Sequence, residues 1–404
     1  MLKQALCRTL QLVRRSRAGH AGASPKISIV ALLPVTQHWE GDFMRCLYVV
    51  SVLTVSIVFR SSAYDPHSID TTLHATGVEE ITFRSGQFEI VGNLYEPLSV
   101  TSPHPSVIWV SGSGPSFRRV TSKETVKLMN CFLDRGFAYF RIDKPGSGDS
   151  KGKIHDDSVF AQLSDIVVSA VMKLKTRTMI RKDAIGIFGS SQAGYIMPLA
   201  VTKCPDITFM IGSSCPGENS IDQWNYLLEK QMICEGVPEQ KARKAGEMFA
   251  ILRTAVRKSE FDSAIAYFEK SPLVINSVGY DSSFVSGARS WWPRTIDLSD
   301  EAHYNPITLV EHIHTPIFLV YGSHDKQIDP LQAINAYTIA LKRAGNNLAR
   351  IVLLKESDHN MSLSSGCLND INDLSRTGQY RLDPEYLKTI GSWIDELNLM
   401  YRLR

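Results

Sequence analysis

The sequence predicts an α/β fold: a mainly parallel central sheet with helices on both faces, interrupted by a helical insertion. Three observations carry this reading. From residue 78 onward, short β-rich apolar runs alternate with amphipathic runs of helical period, the rhythm of parallel strands joined by crossover helices. That rhythm stops between about 217 and 305, where the segments SIDQWNYLLEKQMICEG, EQKARKAGEMFAILRTAVRK and EFDSAIAYFEK all read as helix, and then resumes. Finally, the stretch AIGIFGSSQAGYIMPLA, residues 184–200, runs from strand to helix through a very tight turn carrying two adjacent serines.

Taken in order, EEITFRSGQFEIVGNLYEP reads as two strands around Ser85-Gly86, a hairpin signal. SVIWV (106–110) is a short strand ending in SGSGP. TSKETVKLMNCFLDRG (121–136) has helical period, a capping hydroxyl at its start and Gly136 at its end. FAYFRID (137–143) is a strand followed by the turn KPGSGDS, and 159–177 is an amphipathic helix. After the serine turn come a strand at 207–214, the helical insertion, and a loop with SWWPR (290–294). PIFLVYG (316–322), a helix over 330–345, ARIVLLK (349–355) and a last helix over 383–400 complete the domain. The expected organisation is therefore core over 64–216, insertion over 217–305, and core again over 306–404.

The first 63 residues stand apart. LYVVSVLTVSIVF, Leu47 to Phe59, carries no charge and is shorter than the roughly 20 residues that span a bilayer. Met44-Arg45 precedes it, and Ser61 and Ala63 supply the small residues of a cleavage site. Residues 44–63 thus read as a signal peptide, with 1–43 an upstream or basic leader segment, and the protein is expected to be exported with no stable membrane span after cleavage. An uncleaved anchor through 47–59 is the alternative. Five of the seven cysteines lie beyond this region: Cys131, Cys204, Cys215, Cys234 and Cys367. Their spacing is neither C-x-x-C nor a regular disulfide framework. The odd number leaves at least one thiol unpaired by its own chain, and one bridge is possible without the spacing saying which. A formal net charge of +3 over 404 residues gives no reason to expect a nucleic-acid partner.

A serine hydroxyl is a weak nucleophile at neutral pH. It needs a base in reach, a group to orient that base, and donors for the developing oxyanion. A strand-to-helix turn exposes it only if the residues two before and two after are small. Around Ser191 these are Gly189 and Ala193; around Ser190 they are the bulky Phe188 and Gln192. Ser191 is therefore the candidate nucleophile. The same turn directs the backbone N–H of Gln192 toward a substrate carbonyl, and the Gly-rich loop SGSGP (111–115) offers a second donor, Ser113 N–H, with Gly114 as runner-up. His359, just past the final strand, is the candidate base. Asp325, three residues past Gly322, is preferred over Asp329 as the orienting acid. Asp358 is adjacent to His359, and neighbouring side chains in extended chain point apart.

These motifs resemble the α/β-hydrolases, from about residue 78 to the C-terminus. GSGP (112–115), DKPGSGDS (143–150), GSSQAG (189–194), YGSHD (321–325) and SDHNM (357–361) are similar to the esterase and serine-aminopeptidase-like branch with a helical cap. The resemblance implies a Ser191–Asp325–His359 triad and a cap over the site. The chain departs from the pattern at Ser190, where His is frequent, at Ala193, where Gly is frequent, and at Pro145, where Arg is common.

The expected activity is hydrolysis of a carboxylic ester or other short acyl substrate through an acyl-enzyme, needing no cofactor and no metal. A peptidase or amidase acting on short substrates is the alternative, with Glu218, Asp222 and Glu229 available to hold a substrate amine. A non-catalytic hydrolase-like binding protein is the reading from another class. HIH (312–314) with His324 nearby lacks a further ligand for zinc. DKPGSGDS lacks the G-K-[ST] ending of a nucleotide loop. Trp224, Trp291 and Trp292 suit either an acyl pocket or packing within the insertion.

Overall fold

The computed structural model describes residues 73–98, 102–155, 158–255, 257–277, 283–290, 292, 303–364, 367 and 381–402. The signal peptide expected at 44–63, the segment before it, and Trp291 lie outside these residues.

The described residues open with a hairpin, β1 (Ala75–Ser85) and β2 (Phe88–Pro97), turning at Gly86 with φ 54°, a left-handed conformation that glycine adopts without strain. Then follow β3 (His104–Val110), α1 (Lys123–Leu133), β4 (Ala138–Ile142), α2 (Val159–Leu174), β5 (Ile180–Ser190), α3 (Ala193–Lys203) and β6 (Ile207–Ser213). Between β6 and β7 stand α4 (Ser220–Cys234), α5 (Glu239–Thr254), α6 (Lys258–Glu269), α7 (Pro272–Ser277), α8 (Ser283–Arg289) and the single turn α9 (Ile307–Val310). β7 (Ile317–Gly322), α10 (Pro330–Arg343), β8 (Arg350–Leu354) and α11 (Pro384–Arg402) close the fold.

The eight strands form one sheet in the order β1-β2-β4-β3-β5-β6-β7-β8. β1, β2 and β4 pair antiparallel, and every pair from β4-β3 to β7-β8 is parallel. β5 begins at Ile180, four residues before the apolar run at 184–188, because Arg181, Lys182 and Asp183 sit in its first, outward-facing part.

Both faces of the sheet are covered, as parallel strands require. On one face Ile108, Ile185, Ile187 and Met210 pack against α2, α3 and α10. On the other, Phe188, Phe209 and Phe318 pack against α1 and α11, with Phe318 stacked on Trp393 at 5.3 Å and Phe188 against Phe132 at 5.3 Å. Each such buried aromatic contributes about 1.5–3 kcal/mol by removal from water. The helical insertion has a core of its own, built on Met232, Phe249, Leu252, Phe261 and Phe268. Trp292 packs 5.5 Å from Phe261, within that core.

Candidate active site

The site forms at the C-terminal ends of the parallel strands. β5 ends at Ser190, and Ser191 takes φ 57°, a left-handed conformation costly for a residue with a side chain. Its own N–H donates to Ser213 O at 3.0 Å, at the end of β6, and its carbonyl accepts Gly194 N at 2.8 Å in the first turn of α3. The small flanks are physically required. A Cβ on Gly189 would stand 2.5 Å from both Ala193 Cβ and Val110 O, and one on Gly194 would stand 2.7 Å from Cys215 Cβ. The turn is thus wedged between β3 and β6 with no space for a larger residue. Ser190 is the last strand residue, paired with Ser213, and lies beneath Ser191.

His359 follows β8 and is buried, with 7% of its surface exposed. Its Nδ1 lies 2.9 Å from Asp325 Oδ2 and 3.1 Å from Oδ1. A carboxylate beside Nδ1 holds the proton on that nitrogen and leaves Nε2 as the acceptor. Burial opposes the imidazolium, but the charge and hydrogen bond of Asp325, with the charge of Asp358, outweigh it and raise the His359 pKa. Asp325 is itself held fast: Oδ1 accepts Gln327 N at 2.8 Å and Ile328 N at 2.9 Å, and its backbone carbonyl accepts Tyr226 Oη of α4 at 3.1 Å.

The other two acids are used elsewhere. Asp329 caps α10 by accepting Leu331 N and Gln332 N. Asp358 Oδ1 accepts Asn360 N and Ser362 N, tightening the loop around His359. Ser214, with φ 49°, donates from Oγ to His359 O at 3.0 Å, so the end of β6 contacts both the Ser191 turn and the histidine loop.

The Ser111–Pro115 loop after β3 lies against this turn. A Cβ on Gly112 would come within 3.2 Å of Ser190 O and 3.3 Å of Ser191 Cβ. Ser113 is exposed at the loop tip, and Gly114 has φ 82°. Sequence reasoning did not single out the residue that fastens this loop. Lys144, in the turn after β4, is buried, and its Nζ donates to Gly112 O at 2.5 Å, Gly114 O at 3.2 Å and Gln192 Oε1 at 3.2 Å. Burial pushes its pKa down to about 7. The neighbouring Asp143 is also buried and pairs with the Arg118 guanidinium, while Arg118 N donates to Asp143 Oδ1 at 2.5 Å. Arg118 reaches on to Asp149 at 2.6 Å and Glu80 at 2.8 Å. Gly148 closes the turn, and a Cβ there would overlap the Asp143 carboxylate.

A second polar group sits where the chain leaves β6 for the insertion. Glu218 Oε1 is buried without a hydrogen-bond partner among the described residues, as is Tyr195 Oη, one turn into α3 from Ser191. Burial, followed by the charges of Asp222 and Asp329, raises the Glu218 pKa to about 7. Glu229 forms a pair with Lys230 at 3.4 Å.

The histidine motif is dispersed. His312 and His314 are exposed in the turn between α9 and β7, with Ile313 buried between them. His324 Nδ1 lies 2.5 Å from Ser364 O. Among the described residues no three His, Cys, Asp or Glu side chains are grouped to hold a metal ion. One disulfide, Cys234–Cys367, with Cα atoms 5.5 Å apart, joins the end of α4 to the segment after His359. Cys131, Cys204 and Cys215 are free and buried.

No family model matches the chain. Among curated proteins it is 32% identical over 124 residues to 2,6-dihydropseudooxynicotine hydrolase of Paenarthrobacter nicotinovorans, covering 30% of this chain and 31% of that protein. The chain thus spans about a third of the length of the curated relative it matches. Among solved structures, a 2,6-dihydroxy-pseudo-oxynicotine hydrolase is 20% identical, with TM-score 0.41, over 76% of this chain and 70% of that one. An esterase of Pyrococcus furiosus is 14% identical, with TM-score 0.48, over 83% and 95% of the two chains. An acylaminoacyl peptidase of Pyrococcus horikoshii is 15% identical, with TM-score 0.46, over 79% and 45%. The sheet is mainly parallel with helices on both faces, Ser191 follows β5 in a left-handed turn, and Asp325 after β7 pairs with His359 after β8; the fold is that of the α/β-hydrolases.

Proposed function

We propose that the protein is a serine hydrolase that cleaves carboxylic esters through an acyl-enzyme. The observation that carries this reading is the His359–Asp325 pair at 2.9 Å, set on the same sheet edge as a serine in a left-handed turn. In the mechanism, His359 Nε2 takes the Ser191 proton as Oγ bonds to the substrate carbonyl carbon. Asp325 stabilises the imidazolium, and the N–H groups of Gln192 and Ser113 stabilise the oxyanion. The C–O bond to the leaving group breaks as His359 returns the proton to it. Water, activated by the same imidazole, then releases the acid. The helices between β6 and β7 serve as the cap, and Tyr226 brings that cap against Asp325. The match to a curated hydrolase supports hydrolysis over mere binding. Export through residues 44–63 is supported by the Cys234–Cys367 bridge, a bond that persists in oxidising compartments.

A peptidase or amidase is the second reading, favoured by Glu218, whose buried and unpartnered carboxyl oxygen suits a substrate ammonium group. One experiment addresses both. Purified protein is given p-nitrophenyl butyrate and an aminoacyl p-nitroanilide, and Ser191 is probed with a fluorophosphonate. Burst release from the ester, with labelling, both lost in Ser191→Ala and kept in Ser190→Ala, is the expected result. Faster turnover of the anilide selects the second reading. Failure of the folded protein to label rejects the serine mechanism and favours a binding protein.

A further inference from the structure

Lys144 is out of character for a lysine in a surface turn. Its three ammonium protons have three acceptors, all belonging to the two segments that flank Ser191. Gly112 O and Gly114 O are the carbonyls on either side of Ser113, and Gln192 Oε1 belongs to the residue after the nucleophile. Its backbone is fixed as well, since Lys144 N donates to Ser116 O at 3.0 Å, at the far end of the same loop. The adjoining Asp143 is not its counter-ion, because that carboxylate is engaged by Arg118 and by Asp149 N.

We propose that Lys144 is a positioning residue for oxyanion stabilisation, its ammonium group clamping the Ser111–Pro115 loop onto the nucleophile turn so that the Ser113 and Gln192 N–H groups converge on one point. The proposal deepens the serine-hydrolase reading and rests on it. An ammonium group suits this task because it supplies three donors from one centre, whereas a planar guanidinium or a single hydroxyl does not. The alignment matters because donors stabilise the oxyanion only when they stand 2.7–3.1 Å from where it develops, as a general rule for such sites. Lys144 acts through the loop and does not touch the reacting atoms.

The clamp depends on charge. A neutral amine has two donors and a lone pair that repels a carbonyl, so deprotonation releases at least one of the three contacts. The charged groups on the surrounding elements are Asp143 and Asp149 in its own turn, Arg118 and Arg119 on the loop before α1, Glu80 on β1, and His359 with Asp325 beyond Ser191. Arg118 engages Asp143, Asp149 and Glu80, and burial is the one cause that moves Lys144, to about 7. The positioned state is therefore present below that value and is lost as pH rises through it.

The test compares wild type with Lys144→Met, which keeps the apolar stem and removes the donors. Both are assayed on p-nitrophenyl butyrate and on its thiono analogue, whose larger sulfur gains little from oxyanion donors. The expected result is a kcat lower by up to about 100–1,000-fold, the range for loss of an oxyanion contact, with KM within about threefold. The rate advantage of the ester over the thiono ester should collapse in the variant. Wild-type kcat should also fall with an alkaline limb near pH 7 that is absent from the variant. If Lys144→Met fails to fold, Lys144→Gln takes its place, and an unchanged ratio of ester to thiono ester rates in it overturns the proposal. So does a folded variant with unchanged kcat, or one with equal losses on both substrates. Fluorophosphonate labelling of wild type separates the two levels. Labelling with an unaffected Lys144→Met variant overturns this proposal alone, while no labelling overturns the serine reading and this proposal together.

Discussion

His359 stands between opposing influences, and their balance sets a pH dependence. Burial alone would lower its pKa, yet Asp325 and Asp358 raise it above the usual histidine value of 6.5. Folding therefore favours the imidazolium. The ion pair's contribution to stability is fully present below the ordinary histidine range and is lost as pH rises through the raised value. In the proposed mechanism catalysis runs the other way, because the base must be neutral to accept the serine proton. We predict an acid limb in kcat/KM with its midpoint above 6.5, moving down in Asp325→Asn together with a loss on the order of 10⁴ in kcat. An unchanged midpoint in a pH–rate series of that variant would show that another group controls the limb. The left-handed turn at Ser191 and the pairing of Asp325 with His359 were legible residue by residue because each obeys a local rule of size or chain position. Lys144 was not. In sequence it is one charge in a polar turn, and its partners are 30, 32 and 48 positions away. The unpartnered state of Glu218 Oε1 was equally hidden, since composition cannot show which carboxylates lose their water.

The strands and helices were legible because period and punctuation agree along most of the chain. Ser122 caps α1, accepting Thr125 N at 3.1 Å, and Gly136 with φ 81° follows its end, as the pattern at 121–136 implies. β5 was read short because charged residues at its start break the apolar run, although the strand continues through them. How elements cross was less visible, and glycines hold much of that information. At the end of β7, a Cβ on Gly322 would overlap the backbone carbonyl of Ser357 and lie 2.6 Å from Asp358 O. The histidine loop thus crosses directly over the strand end, and Ser323 N and His324 N bond back to Leu354 O at 2.8 Å and Ser357 O at 3.0 Å. Gly322→Ala must displace either β7 or this loop. The expected outcome is a destabilisation of about 1–3 kcal/mol in urea unfolding and a fall in kcat larger than that in thermal stability would suggest. Retention of full activity would mean that the loop shifts without moving His359.

At the scale of the whole molecule, the insertion and the core are joined covalently as well as by packing. The Cys234–Cys367 bond spans 133 residues and ties the first helix of the insertion to the segment after the base. A cross-link over so long a loop removes much chain entropy from the unfolded state, worth about 2–5 kcal/mol. Cys234→Ser should lower the unfolding free energy by that amount in non-reducing buffer and leave wild type and variant alike once reductant is added. Equal stability in both buffers would show that the bond does not form. Which of the five cysteines after residue 63 form a bridge could not be read from spacing, because Cys234 and Cys367 stand 133 residues apart in sequence and meet only in the folded chain. The three that remain free are buried in the core as small apolar side chains.

The last two residues around the end of β6 have a wider consequence. Ser213 O holds the backbone N–H of Ser191, and Ser214 Oγ holds the carbonyl of His359. One strand end therefore serves as a gauge block between the Ser191 turn and the His359 loop. Both loops hang on adjoining residues of the chain, so a substitution that shifts the end of β6 shifts the two together.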